Sequence, residues 1–273
     1  MIDPNLSKER TYEFDLRHVA PMVRDFVELA TLRLLDPAKR RFAIGLGRHT
    51  RQQAFDARDD LPPLEIKDLP SFLGSTAPQP IVLPPLEYIS LAGLGFATPY
   101  VILATVAAAL QPKRIFETGT FRGVSALTLA LNAPKAEIYT LDLPSDFSAQ
   151  DVETLTRGDQ EWTRLVRDSV GVAFHNHPSA ARIHQIRENS LTFDARTNVG
   201  SADFCFIDGG HSYECVHADT VNAFAILAPD GVVLWDDYTW FMDGVRKYIK
   251  ELRRDYDLHR IVGTQYVIYK QGR

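Results

Sequence analysis

The chain has 273 residues, 45% of them hydrophobic and 24% charged, with a formal net charge of -5 and a pI near 5.9. That size and composition fit a soluble globular protein holding one large α/β domain, or a domain plus a smaller cap. The acidic balance excludes the basic footprint of a nucleic-acid or anionic-membrane binder. The two cysteines, Cys205 and Cys215, have no C-x-x-C spacing and exclude a disulfide framework or zinc knuckle.

The first ten residues are charged and carry no apolar run, so no signal peptide is expected and a cytoplasmic protein is the default. Residues 1–60 read as irregular helix. Pro21 suits a first helical turn, and Val23, Phe26, Val27, Ala30 and Leu34 recur at helical spacing before Asp36-Pro37 stops the run. One apolar stripe must be buried against something, the main domain or a second copy of the chain. Residues 61–86 hold seven of the 16 prolines and show little periodicity, which predicts an extended connector on the surface. We therefore expect a helical and proline-rich arm over 1–87, a cap or a homo-oligomer contact, and a main domain over 88–273.

The most apolar run, 97–110, falls short of the ~18 residues a membrane span needs. It reads instead as a helix over 100–110 capped by Thr98-Pro99. Strands and helices then alternate as a doubly wound sheet requires. Strands are expected at 114–118, 137–141, 181–186, 203–207 and 231–235, with helices over 213–227 and near 241–256. The runs 259–262 and 265–269, joined by Gly263-Thr264, predict an antiparallel hairpin at the sheet edge. Between the second and third strands lies a long connection, 144–180. There Trp162, Leu165 and Val166 could make one helix, and His175-Asn176-His177-Pro178 reads as a solvated turn rather than a metal motif.

In an open parallel sheet, ligands bind outside the carboxyl ends of the strands. After the first strand comes Glu117-Thr118-Gly119-Thr120-Phe121-Arg122-Gly123-Val124-Ser125, a glycine turn that opens a helix. Two glycines let a ligand approach the backbone, and a helix N-terminus favours a carboxylate or phosphate. Asp142, after the second strand, stands where a nucleoside ribose would sit. The spacing lacks the second glycine of the dinucleotide fingerprint G-x-G-x-x-G.

Asp208-Gly209-Gly210-His211 follows the fourth strand and Asp236-Asp237 the fifth. Three carboxylates at adjacent strand ends repel, and a hard divalent cation such as Mg²⁺ would relieve them. His211, in the mouth of the same crevice, has the chemistry of a base that takes a hydroxyl proton, provided its pKa is near neutral.

Glu117-x-Gly119-x-x-x-Gly123-x-Ser125 resembles motif I of the class I S-adenosylmethionine (SAM) methyltransferases. The stretch from Phe204 to Glu214 is similar to the F-I-D-G-D-H-S-Y-E-G signature of methyltransferase family 24, small-molecule O-methyltransferases. The resemblance covers residues 88–269. It implies a Rossmann-like sheet of seven strands with an antiparallel C-terminal hairpin. It also implies SAM held by Glu117, Gly119, Thr120, Gly123, Ser125 and Asp142, with Asn189 and Ser190 near the adenine. A metal would be held by Asp208, Asp236 and Asp237, as in metal-dependent sugar O-methyltransferases. Two positions depart from the signature: Gly210 replaces its second acid, and Cys215 its last glycine. The first departure shifts the expected base to His211, acting with Asp208. The expected activity is SAM-dependent methylation of a hydroxyl on a small molecule such as a sugar or polyol, with Mg²⁺ assisting. A hydroxylase-like enzyme on the same fold, or a non-catalytic SAM-binding scaffold, stays open as the alternative.

Overall fold

The computed structural model describes residues 59–76, 79–85, 98–148 and 153–273. The amphipathic stripe at 23–34 lies outside the described residues. Asp60–Arg273 forms one compact unit.

Its centre is an eight-stranded sheet. The strands are β1 (Pro63–Leu64), β2 (Arg114–Thr118), β3 (Glu137–Asp142), β4 (Ile183–Arg187), β5 (Ala202–Ile207), β6 (Leu227–Trp235), β7 (His259–Ile261) and β8 (Val267–Lys270). They lie in the order β1-β7-β8-β6-β5-β2-β3-β4. The run β6-β5-β2-β3-β4 is parallel throughout. Strand β8 is antiparallel to both β6 and β7, so the expected hairpin is present, although β1 and not β7 forms that edge of the sheet. Parallel strands covered on both faces should be apolar along their length, and β2, β5 and the second half of β6 are buried accordingly. Phe116, Phe204, Phe206 and Trp235 are the bulkiest of these side chains. Burying each contributes roughly 1.5–3 kcal/mol.

The expected seven strands are β2 to β8. The eighth comes from the proline-rich segment: Pro63 and Leu64 pair in parallel with β7, and Leu69, Phe72 and Leu73 enter the core. Proline suits this place because an edge strand leaves some N–H positions unused. Strand β6 also starts earlier than the 231 read from sequence. Leu227 pairs with Ala202 before a register shift carries the ladder on from Phe204 opposite Val232.

Helix α1 (Thr98–Leu110) packs on α2 (Val124–Asn132), which links β2 to β3, and α4 (Tyr213–Ile226), which links β5 to β6, packs on α5 (Asp243–Leu252). Because β2→β3 and β5→β6 step in opposite directions, right-handed crossovers put α2 and α4 on opposite faces. Helix α3 (Arg157–Val166) lies in the long connection between β3 and β4. Of the three residues expected to build it, only Val166 is buried; Trp162 and Leu165 are exposed. No helix among the described residues is long and apolar enough to cross a membrane.

Candidate active site

Chain order reverses between β2 and β5, and the carboxyl ends of the parallel strands open a crevice there. Strand β2 turns at Gly119, whose φ of +89° is costly for any other residue. A Cβ on Gly119 would stand 1.8 Å from the carbonyl oxygen of Asp208. The two halves of the site therefore meet backbone to backbone.

The glycine loop is tied down by its own chain. The amides of Gly119 and Thr120 donate to the Leu141 carbonyl at 2.9 and 3.3 Å, and that of Gly123 donates to the Thr120 carbonyl at 2.7 Å. The Phe121 amide donates to Asp142 Oδ2 at 2.7 Å, and the Leu143 amide to Asp142 Oδ1 at 2.8 Å. These loop amides are thus spent internally rather than aimed at a ligand. Burial raises the Asp142 carboxyl, and those two N–H groups work against it. Glu117 is fully buried, with Oε2 accepting from the Thr140 hydroxyl at 2.5 Å and Oε1 left without a hydrogen-bond partner. Burial pushes its pKa up to about 7, opposed by the Ser125 and Thr140 hydroxyls. The Thr120 and Thr140 hydroxyls lie 2.7 Å apart. After β4, Asn189 Oδ1 accepts the Leu191 amide at 3.0 Å, and the Ser190 carbonyl accepts from Asn222 Nδ2 at 3.2 Å. An orphaned acceptor on Glu117 and a carboxylate with lone pairs to spare on Asp142 fit a ligand that brings donors, as a nucleoside cofactor does.

The acid half is built differently. Asp208 and Asp236 each extend a ladder by one residue: the Asp208 amide donates to the Thr118 carbonyl at 3.0 Å, and the Asp236 amide to the Ile207 carbonyl at 2.9 Å. Asp237 takes a left-handed turn at φ +59°. Burial, then the charges of Asp236 and Asp237, hold Asp208 well above the usual carboxylate range. Burial and the neighbouring Asp237 push Asp236 up to about 8. Close by, Asp219 of α4 is buried with its pKa pushed up to about 6 by that burial, the hydroxyls of Ser190 and Thr118 opposing.

His211 stands between two carboxylates. Its Nδ1 lies 2.5 Å from Asp159 Oδ1, and its Nε2 contacts Asp237 Oδ2. Burial alone would lower its pKa, but the bonds to Asp159 and Asp237 outweigh burial and hold it well above 6.5. The two carboxylates therefore favour the protonated ring, which the sequence alone does not reveal. Asp159 behaves reciprocally: burial raises it, and His211 brings it below the ordinary value.

Asp208, His211 and Asp237 each place one donor atom within 4.8 Å of the others, the one such group among the described residues. The structure thus gathers two of the three expected metal ligands with the histidine. Asp236 instead accepts the Asp237 amide at 2.6 Å and bonds Gln265. Two carboxylates and an imidazole around a pocket with room for about one water-sized particle fit a small divalent cation. The histidines at 175 and 177 are not part of it; His177 Nδ1 accepts the Ser179 amide at 3.1 Å.

Asp159 is the residue that sequence reading misses. The connection carrying it also braces the glycine loop, with the Gly171 amide donating to the Phe121 carbonyl at 2.8 Å and that of Ala173 to the Arg122 carbonyl at 2.9 Å. The ring of Phe174 fills the space a Cβ on Gly123 would need.

Residues 116–238 match the model of methyltransferase family 24, described as a methyltransferase domain. The O-methyltransferase hkm8 of Aspergillus hancockii is 32% identical over 144 residues, 51% of this chain and 49% of that protein, so the chain spans about half the length of the curated relative it matches. Two solved structures are similar in fold. The SAH-bound methyltransferase PaMTH1 of Podospora anserina matches over 75% of this chain and 94% of its own, with 16% identity and a TM-score of 0.47. The O-methyltransferase TomG of Streptomyces achromogenes, in complex with SAM, matches over 65% and 81%, with 19% identity and a TM-score of 0.47. From the strand that leads into the glycine loop to the paired acids after β6, the chain is similar to the methyltransferase family that its own signature resembles.

Proposed function

We propose that the protein is a SAM-dependent O-methyltransferase acting on a hydroxyl of a small molecule such as a sugar or polyol, assisted by Mg²⁺, with His211 as the base. The observation that carries this reading is the direct junction of the two half-sites at Gly119 and Asp208. It sets a donor-seeking cleft beside a crowd of carboxylates and one imidazole.

SAM would supply the methyl group, and Mg²⁺ a charge that lowers the pKa of the acceptor hydroxyl. The chain's own part is positioning. Glu117 and Asp142 would hold the cofactor's donors, Asn189 and Ser190 would flank its base, and Asp208 and Asp237 would hold the metal. Most of the rate would come from fixing the hydroxyl oxygen in line with the methyl carbon. His211 would take the hydroxyl proton on Nε2 after that nitrogen has given its own proton to solvent, with Nδ1 kept on Asp159. No covalent enzyme intermediate is needed.

Calorimetric titration with SAM, with and without EDTA, tests the reading, followed by labelled SAM offered to a panel of sugars and polyols. No SAM binding ends the proposal. Transfer that survives EDTA removes the metal from it.

A further inference from the structure

Asp159 lies 52 residues before His211 and on another element, the first turn of α3. It meets the histidine twice. Oδ1 is 2.5 Å from ring Nδ1, and Oδ2 accepts the His211 main-chain N–H at 3.0 Å. One carboxylate bonded to both the ring and the backbone of a residue fixes where the side chain starts and how it is turned. Both side chains are largely buried, 21% and 11% exposed, so this is not a solvated surface pair.

The residues just before Asp159 are fitted to the same loop. Leu155 occupies the space beside Gly210, where a Cβ would come within 2.6 Å of its Cδ2, and Thr154 Oγ1 lies 3.8 Å from Cys215 Sγ. A residue larger than glycine at 210 would force the Leu155 side chain to give way. Asp159 is also the third residue of α3 and closes a capping box, its carboxylate accepting the Thr156 amide at 3.3 Å while its own amide donates to the Thr156 hydroxyl at 3.2 Å. Histidine clamp and helix start share one side chain.

We propose that Asp159 is a positioning residue: by holding Nδ1 and the main-chain amide of His211, it fixes the ring so that Nε2 is the nitrogen presented to the acid cluster. The control comes from the connection between β3 and β4, not from the loop that carries the histidine. The inference rests on the methyl-transfer reading only for what Nε2 then does.

Selective ¹⁵N-histidine labelling of the full chain in EDTA-containing buffer reads the ring directly, with His211→Gln to assign its signals. The wild type should show a protonated Nδ1 and one sharp set of His211 signals at neutral pH. Asp159→Ala should shift or broaden that set as the ring samples other orientations and tautomers. Asp159→Asn, whose amide oxygen can keep the ring bond while its NH₂ opposes the main-chain N–H, should fall between. Thr156→Ala breaks the capping box but leaves the carboxylate, and should leave the His211 signals unchanged.

Unaltered His211 signals in Asp159→Ala would overturn the proposal, as would an equal change in Thr156→Ala. SAM titration of the same proteins separates this idea from the function. Asp159→Ala should bind SAM as the wild type does, and a SAM affinity that falls as far as in Gly119→Ala would mark a general disturbance and also overturn it. Failure of the wild type to bind SAM would sink the methyl-transfer reading while the ring measurement stood.

Discussion

The two halves of the crevice handle negative charge in opposite ways. Around β2 and β3, Asp142 and one oxygen of Glu117 are met by the chain's own N–H and O–H groups. Around β5 and β6, Asp208, Asp236 and Asp237 mainly face each other, and a single imidazole is the cation among them. The first half is a finished scaffold for something neutral or cationic. The second is a conflict that an outside charge would settle, and chemistry is expected where the fold leaves its electrostatics unresolved.

The harshest break of that contrast is Gly119→Ala, which strikes both halves at once. With φ at +89° and the Asp208 carbonyl in the way, it should cost about 3 kcal/mol and abolish SAM binding, read by denaturant melts and calorimetry. Asp208→Asn should separate the halves. Removing one of three repelling carboxylates should stabilise the metal-free protein by about 1 kcal/mol while erasing any Mg²⁺-induced rise in melting temperature. SAM affinity should stay as it was. Destabilisation instead would mean that the acid half is as self-satisfied as the other.

The pH dependence sharpens the same point. In the fold, Glu117, Asp219 and Asp236 titrate at about 7, 6 and 8, above their ordinary carboxylate values. For each, stability falls as pH rises from the unfolded value through the folded one. His211, also raised, adds stability that is full below 6.5 and is lost as pH climbs through its folded value. Asp159, lowered, works the other way, but only as pH falls below 3.8. The metal-free protein should therefore melt at a lower temperature near pH 8 than near pH 5.5, and saturating Mg²⁺ should narrow the gap. The mildest test is Asp142→Asn, which keeps an acceptor but loses the charge. SAM affinity should drop about tenfold, with a loss of about 1 kcal/mol in stability because the new NH₂ opposes one of the two main-chain N–H donors.

The sheet was legible because its signals are local. Apolar runs ending in polar residues marked β2, β5 and β6, and the strand-end rule then put Glu117, Asp142, Asp208 and Asp236-Asp237 in one crevice. Contacts that depend on distant partners were not legible. Nothing near Asp159 in sequence announces His211, because it looks like an ordinary helix-capping acid and also is one. The two-residue strand β1 is too short for any periodicity to show, and its prolines argue for a loop. The raised pKa of His211 escaped for the same reason: it is set by neighbours, and one of them, Asp159, comes from another element.

The seam between β2 and β5 limits how such a protein can be altered. No methyl group fits between Gly119 and the Asp208 backbone, and the Asp208 amide is bonded to the Thr118 carbonyl at 3.0 Å, so a displacement on one side is felt on the other. Changes to the crevice that keep the fold intact would have to leave that junction alone. The freedom lies in exposed positions such as Leu165 of α3, which is not among the residues bonded to His211 or bracing the glycine loop.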